Sequence, residues 1–401
     1  MRKAAWVLLV LLVFSIPWEY SLDFGAPWGN IARVLGLAAL SVAFIAVLQE
    51  GGFRRLHEVH WATVALFGWF CCTYFWTVTQ QETLAHLRGY AQELMLVWLV
   101  WELAETGESV RDLLKAWLAG SWVLAILTIA SLVLLNAGGA ELARFAPPGQ
   151  DPNDVARYLA LGIPIAAMAG DVKPKGLWRV LSLAYMPVGF AGILVTASRS
   201  GLVVALIALA ACGIAAVRSY PKRVAAAGCS VAVAATLILT AAPAGTLNRL
   251  SSIAELKQSG DLNQRVNIWS AGWRAFESAP VAGHGAGSFA TAAELAPEDT
   301  AHNTLLSIVV EGGLVGLALA AAVVAISVRA IATMRGQLRY CLAVLMIVWT
   351  VSSLGGTVWE SRLTWLMFGI AATGQRLAKD DRAGAEIEPE TCAGEQIVEW
   401  T

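Results

Sequence analysis

Three basic side chains in this sequence have the types and settings that phosphate chemistry requires. Arg199 lies in TASRSG (196–201), a short connection between two apolar segments, where a cation must be paired or solvated in a cavity. Arg265 precedes an amphipathic stretch, and two guanidinium groups together can hold a diphosphate by forked hydrogen bonds. His302 opens a later apolar segment, and histidine is suited to proton transfer near neutral pH. The set predicts an anion clamp with a base beside it.

Each of these residues also has a structural interpretation. Arg199 could snorkel to lipid headgroups, Arg265 could be a solvated loop arginine, and His302 could simply start a helix. Glu311 lies inside the apolar segment that His302 opens, where a carboxylate is expected to be functional or to pair helices, and the Gly312–Gly313 pair beside it permits close helix packing. Weaker candidates near the ends of apolar segments are His86, Arg88, Arg144, Asp151, Asp154, Arg157, Tyr158, His284 and Arg362.

The elements that must position these residues are membrane helices. The 401 residues are 57% hydrophobic and only 14% charged, whereas soluble domains are roughly 25% charged. Because a membrane span needs about 20 mostly apolar residues, the sequence predicts an all-α polytopic membrane protein with about twelve spans. These lie near 4–20, 31–49, 61–79, 88–104, 113–136, 155–170, 178–196, 200–217, 224–242, 303–328, 338–356 and 362–377.

The distribution of Lys and Arg predicts the orientation of these spans. With the N-terminus inside, most of the 28 basic residues fall in cytoplasmic loops, so both termini are expected to be cytoplasmic. Nine spans then occupy residues 1–242 and three occupy 303–377. The polar residues 243–302 form a long outer loop, with an amphipathic helix over 267–277 lying on the membrane surface. Residues 378–401 are expected to be a disordered cytoplasmic tail.

Several classes of chemistry lack their usual signatures. There is no P-loop or dinucleotide fingerprint, no nucleophile elbow and no Cys/His cluster with zinc-ligand spacing. There is also no basic tract typical of nucleic-acid binding. We therefore expect no cofactor, no metal and no nucleic acid. A reaction on the outer face would need a donor that is already activated.

Short motifs occur in order between about residues 185 and 320: TASRSG at 196–201, Arg265 with Trp269 and Trp273, Pro280 with GHGAGSF at 283–289, and His302 and Asn303 with Glu311, Gly312 and Gly316. Together they resemble the O-antigen ligase superfamily. That group includes O-antigen ligases, O-antigen polymerases and bacterial protein O-oligosaccharyltransferases.

The resemblance implies a metal-independent, inverting glycosyltransferase with a GT-C-like membrane architecture and a periplasmic active site in the bacterial inner membrane. The donor would be a glycan on undecaprenyl diphosphate, and the acceptor of a ligase would be a sugar hydroxyl on lipid A–core. Arg199 and Arg265 would stabilise the leaving diphosphate, and His302 would act on the acceptor hydroxyl. The further substrate-binding positions would be Arg88, Ser198, Gln264, His284, Asn303 and Glu311.

The shared motifs do not separate the members of this group. A ligase is favoured because the outer loop is of moderate length and no outer domain is appended. We also expect the protein to be a monomer. The alternatives are an O-antigen polymerase, a protein O-oligosaccharyltransferase and, outside the enzymes, a transporter of lipid-linked glycan. A transporter typically shows internal repeats with interrupted helices in matching halves, and the single long loop makes the halves of this chain unequal.

The sequence makes a prediction about metal dependence. Purified protein given a lipid-linked glycan and an acceptor should transfer the glycan in excess chelator, because arginines rather than a cation are expected to neutralise the leaving group. Product formation is followed by gel mobility of the acceptor. Loss of transfer on chelation, restored by a divalent ion, would contradict this mechanism.

Overall fold

The computed structural model describes residues 1–25, 28–137, 144–171, 176–217, 220–251, 260–297 and 299–391. The helices in these residues are α1 (Arg2–Ser15), α2 (Ile31–Gln49), α3 (Glu58–Thr73), α4 (Gln80–Leu103), α5 (Gly107–Ala137), α6 (Pro152–Asp171), α7 (Leu177–Val195), α8 (Arg199–Ala216), α9 (Pro221–Ala241), α10 (Ala244–Ser251), α11 (Gly260–Ser278), α12 (Phe289–Ala292), α13 (Thr304–Thr333), α14 (Gly336–Gly355) and α15 (Arg362–Thr391). A 3-10 helix, Ile16–Ser21, follows α1. No β-strand occurs in the described part of the chain, where Asp23 and Asn30 make an isolated antiparallel bridge.

Eight helical segments are long and apolar enough to cross a membrane, which makes the chain a helical polytopic membrane protein. They correspond to α1 with its 3-10 extension, α2, α5, α7, α8, α9, α13 and α14. Each of the other four predicted spans coincides with a helix, namely α3, α4, α6 and α15. Of these, α3 has only 16 residues, and α4 carries Arg88, Glu93 and Glu102 within its length.

The C-terminal segment differs from the expectation of a disordered tail over 378–401. Helix α15 continues to Thr391, so residues 378–391 are helical. Alanine and glutamate are frequent in this stretch, and both are good helix formers. The rest of the predicted tail, 392–401, lies outside the described residues.

Helix α13 packs against α3, α11, α14 and α15, and it is broken part-way along. Gly313 has φ 62° and ψ −164°, which is not helical. A side chain there would place its Cβ 2.2 Å from the carbonyl oxygen of Val281, so only glycine fits. The sequence predicts close helix packing at this glycine pair. Gly312 does contact α3, where Trp69 Nε1 donates to its carbonyl oxygen at 2.9 Å, but Gly313 ends the regular helix.

The glycine turn (residues 280–288) takes up the backbone groups that this break releases. A continuous helix would pair the amides of Leu314 and Val315 with carbonyls one turn earlier. Instead, Leu314 N donates to the carbonyl of Pro280 at 2.8 Å, and Val315 N donates to that of Val281 at 3.3 Å.

The carbonyl oxygens left by the break are satisfied from the same turn. The amide of His284 donates to the carbonyl oxygen of Val310 at 2.9 Å, and the amide of Gly285 donates to that of Glu311 at 2.9 Å. Two helical hydrogen bonds are therefore exchanged for four bonds to the turn. Interrupted backbone at membrane depth is stable only when other groups satisfy it in this way.

The other face of the glycine turn contacts α3 and α4 and the connection between them. Thr83 Oγ1 donates to the carbonyl of Ala286 at 2.8 Å, and Ala286 N donates to Thr73 Oγ1 at 3.2 Å. Trp76 Nε1 donates to the carbonyl of Gly283 at 3.2 Å. The turn is thus fixed between α13, the C-terminal end of α3 and the N-terminal end of α4.

This arrangement predicts the effect of a single methyl group. Gly313→Ala should lower the thermal unfolding midpoint, because this backbone region is essentially restricted to glycine and costs other residues roughly 1–3 kcal/mol, and because the new Cβ meets the Val281 carbonyl. Gly228→Ala in α9 is the matched control, since a Cβ there meets nothing within 4 Å. Equal unfolding midpoints of the two purified variants would argue against the broken helix.

Candidate active site

Arg199 is the first residue of α8, directly after a strained connection. Ala197, two residues earlier, has φ 49°, a left-handed conformation that is uncommon for alanine. Ser198 caps the helix, because its Oγ accepts from the amide of Gly201 at 3.2 Å. The Nε of Arg199 donates to the carbonyl oxygen of Arg249 at 2.9 Å, which directs the side chain toward α10.

A polar network joins the start of α8 to the start of α6. Asn153 Oδ1 accepts from Ser198 Oγ at 2.8 Å and from Arg144 Nη2 at 2.8 Å. Asn153 N in turn donates to Asp151 Oδ1 at 2.7 Å. The connection that carries Arg199 is therefore tied to a polar segment that the chain reaches much earlier.

Arg265 lies on a helix rather than in the loop before one. Helix α11 begins at Gly260, so the helix predicted over 267–277 extends toward the N-terminus to include Arg265. Its buried face, formed by Ile268, Ala271 and Ala275, packs with Phe289 against α13. Packing against protein therefore fixes the orientation of this helix, in addition to any contact with the membrane surface.

His302 is held in an uncommon backbone conformation just before α13. Its φ is 46°, and non-glycine residues in this region cluster at functional sites at a cost of roughly 1–3 kcal/mol. The flanking residues are anchored on both sides. Trp269 Nε1 donates to the carbonyl of Ala301 at 2.9 Å, and Asn303 caps α13 by accepting from Leu306 N at 3.1 Å.

The electrostatic surroundings of His302 contain both signs of charge. Burial lowers the pKa of its imidazole below the usual value of 6.5, and the positive charges of Arg265 and Arg157 lower it further. Asp151 and Asp154 act in the opposite direction. The net result is an imidazole that stays neutral at pH 7 and can accept a proton.

Arg157 contributes to this field from the start of α6. Arg157 is 5% exposed and forms an ion pair with Asp154, while its Nε and Nη1 atoms are buried without a hydrogen-bond partner. A side chain at Gly356 would place Cβ 2.3 Å from Nη1, so the connection after α14 fits closely over the guanidinium. Arg157 is therefore a buried cation at the start of α6, held between Asp154 and Gly356.

A comparison with known families identifies the segment that contains Arg199, Arg265 and His302. Residues 184–321, a third of the chain, match the family model described as O-antigen ligase. The chain carries an O-antigen ligase domain. The match includes Arg199, Arg265 and His302 and confirms the resemblance to the O-antigen ligase superfamily. A comparison with curated proteins gives no match.

Two of the other expected site residues in the ligase domain hold the glycine turn. Glu311 is buried; its Oε2 accepts from Gly287 N at 2.9 Å and its Oε1 from Ser307 Oγ at 3.1 Å. His284 Nε2 lies 2.8 Å from the carbonyl oxygen of Ala275, which ties the turn to α11. These contacts favour a supporting role for both residues.

The remaining expected residues divide into caps and exposed side chains. Ser198 and Asn303 cap α8 and α13, so each fixes the helix start beside a candidate catalytic residue. Gln264 is exposed on α11, and Arg88 is exposed on α4. In the described part of the chain, no three His, Cys, Asp or Glu side chains are grouped as metal ligands.

Sequence reasoning gave Arg157 little weight and missed Asn153 altogether. Arg157 was visible only as a basic residue at a predicted span end, and its contact with Gly356 depends on packing between distant segments. An Asp-Pro-Asn-Asp start to α6 is a helix-cap signal that could have drawn attention to Asn153.

The charges around His302 predict a measurable change in its pKa when one of them is removed. In Arg265→Gln the pKa of His302 should rise, because one of the positive charges that lowers it is removed. Histidine-labelled protein, with five histidines in all, allows the titration to be followed by NMR, and His302→Asn identifies the signal. Arg274→Gln, an exposed change on the same helix, should leave the pKa unchanged. If the unmodified protein, Arg265→Gln and Arg274→Gln show the same pKa for His302, then Arg265 lies too far from His302 to influence it.

Proposed function

We propose that this protein is an O-antigen ligase, which transfers a glycan from undecaprenyl diphosphate to a sugar hydroxyl of lipid A–core. The observation that carries the proposal is the half-buried His302, which has a φ of 46° directly before α13 and whose pKa is lowered by burial and by the charges of Arg265 and Arg157, in a segment that matches the O-antigen ligase family model. A neutral base next to cations suits a reaction in which a hydroxyl loses a proton while a diphosphate leaves.

The reaction step follows from these charges. The acceptor oxygen attacks the anomeric carbon from the side opposite the diphosphate, which inverts that centre. The bond from the anomeric carbon to the diphosphate oxygen breaks, and the diphosphate departs with both electrons. His302 takes the hydroxyl proton, and Arg199 and Arg265 stabilise the negative charge that grows on the leaving group.

A place for the lipid tail of the donor supports this assignment. Arg199 begins α8, and the C-terminal half of the same helix lines an apolar cavity of about 570 Å³ together with α6, α7, α9 and α14. At a rise of about 1.5 Å per residue, Leu209 at its near edge is roughly 15 Å along the helix from Arg199. A diphosphate at Arg199 would let the isoprenoid chain follow α8 into this cavity.

The membrane placement belongs to the same proposal. All twelve helices that match predicted spans cross the inner membrane in a GT-C-like arrangement, with both termini in the cytoplasm. Helices α10 to α12 and His302 then face the periplasm, where undecaprenyl-linked glycans are presented. The protein acts as a monomer, with Ser198, Asn303, Gln264 and Arg88 as further contacts to the substrates.

Deleting the gene distinguishes a ligase from its relatives. Accumulation of lipid-linked polymer, with lipid A–core left uncapped, is the expected result. Lipid A–core capped by single repeat units would instead indicate a polymerase, and loss of glycan from secreted proteins would indicate a protein O-oligosaccharyltransferase. Loss of surface glycan together with donor retained on the cytoplasmic side would indicate a transporter.

Single substitutions test the assigned residues. Arg199→Ala and Arg265→Ala should each reduce transfer by about 10²–10³-fold, as removal of a preorganised charge stabiliser does. His302→Ala should reduce it by about 10²–10⁴-fold, the usual contribution of a general base. Transfer is measured with purified protein, lipid-linked glycan and lipid A–core.

Arg274→Ala is the matched control for these substitutions. Arg274 lies on α11 with Arg265, but its side chain is exposed and bonds to Ser270 at 3.0 Å. It should retain full transfer. Normal transfer by any of the three test variants would remove that residue from the site.

A further inference from the structure

A second, polar cavity lies beside the candidate catalytic residues. It has a volume of about 350 Å³, within the range of roughly 300–1,000 Å³ typical of small-molecule sites. It is bounded by the 3-10 helix, the start of α6 and the connection between α14 and α15. The side chains that define its chemistry are Tyr20, Asp151, Asp154, Tyr158, Thr357 and Glu360.

The lining of this cavity is rich in hydrogen-bond acceptors. Three carboxylates face it, from Asp151, Asp154 and Glu360, and none of the residues lining it is Lys or Arg. Asp154 is paired with Arg157, and Glu360 Oε2 lies 3.3 Å from Nε2 of His86. These partners offset two of the three carboxylates, and Asp151 leaves the lining acidic on balance, which opposes the binding of a phosphate group.

A buried hydroxyl without a partner accompanies these carboxylates. Thr357 lines the cavity, and its Oγ1 is buried with no hydrogen-bond partner. Buried polar groups are nearly always satisfied, and a hydroxyl can both donate and accept. This hydroxyl and the carboxylates therefore point to a polar guest that carries hydroxyl groups. A sugar has such groups, and its ring can pack on the faces of Tyr20 and Tyr158.

The cavity is linked directly to the segment that carries His302. Thr304, two residues further on, donates through Oγ1 to the carbonyl oxygen of Gly356 at 2.8 Å and accepts from the amide of Val358 at 3.0 Å. Val358 lines the cavity. Asp151, also in the lining, lies close enough to influence the charge on His302.

We propose that this cavity is the acceptor-sugar site and that it selects a terminal sugar without a phosphate or carboxylate group. The proposal rests on the function proposed above. The diphosphate of the donor binds to Arg199 and Arg265, whereas a neutral or amine-bearing sugar binds to the carboxylates of the cavity. The charges of Arg265 and of Asp151 and Asp154 all act on His302, which can take a proton from an acceptor hydroxyl.

Direct binding tests this site without the donor. Protein in nanodiscs, in excess chelator, is titrated by calorimetry with a neutral core oligosaccharide and with the same oligosaccharide phosphorylated on its terminal sugar. The neutral form should bind saturably, and the phosphorylated form at least about tenfold more weakly. Asp151→Asn and Glu360→Gln, both exposed positions, should each weaken binding of the neutral form by about tenfold, the typical effect of losing a hydrogen bond to a charged group.

Glu294→Gln, an exposed carboxylate in the outer loop after α12, should bind the neutral oligosaccharide as the unmodified protein does. Absence of saturable binding, or equal binding by Asp151→Asn and Glu294→Gln, would overturn the site. Tighter binding of the phosphorylated oligosaccharide would overturn its selectivity.

A transfer assay separates this proposal from the function on which it rests. With both substrates present, Asp151→Asn should raise the KM for the acceptor about tenfold and leave the KM for the lipid-linked donor unchanged. If the unmodified protein binds the oligosaccharide saturably but transfers no glycan, the ligase function is contradicted and the sugar site is not. If Asp151→Asn transfers glycan with an unchanged KM for the acceptor, the sugar site is contradicted and the ligase function is not.

Discussion

The exchange of backbone hydrogen bonds between broken helix α13 and the glycine turn is the constraint on which the site depends. Backbone groups at membrane depth must be paired, so the break at Gly313 and the turn that satisfies it must form together. Glu311 strengthens the junction by accepting from Gly287. Because α11 and α12 adjoin this turn and His302 precedes α13, one junction positions most of the ligase domain.

The second organising feature is the balance of charge around His302. Arg265 acts on its imidazole from α11, whereas the start of α6 supplies both the positive charge of Arg157 and the negative charges of Asp151 and Asp154. Burial and the arginines together keep the imidazole neutral. A base under this influence can deprotonate a sugar hydroxyl while cations stabilise a departing diphosphate, which is the chemistry expected of an O-antigen ligase.

The helices could be predicted from local signals in the sequence. The features that could not be predicted are those that depend on tertiary contacts. Each span predicted from an apolar run of about 20 residues coincides with a helix. The order of the motifs indicated the superfamily that the family model confirms. The break at Gly313 was not predictable, since it requires the Val281 carbonyl beside it. The fit of Gly356 over Arg157 and the left-handed backbone of His302 likewise depend on segments that are distant in sequence.

A structure of the protein with undecaprenyl diphosphate tests the central claim most directly. The account predicts the diphosphate oxygens within hydrogen-bonding distance, about 2.7–3.2 Å, of the guanidinium groups of Arg199 and Arg265. It also predicts the isoprenoid chain along α8 and the polar cavity beside α6 left open for the acceptor. A diphosphate bound among Asp151, Asp154 and Glu360, or at the cytoplasmic ends of the helices, would contradict it.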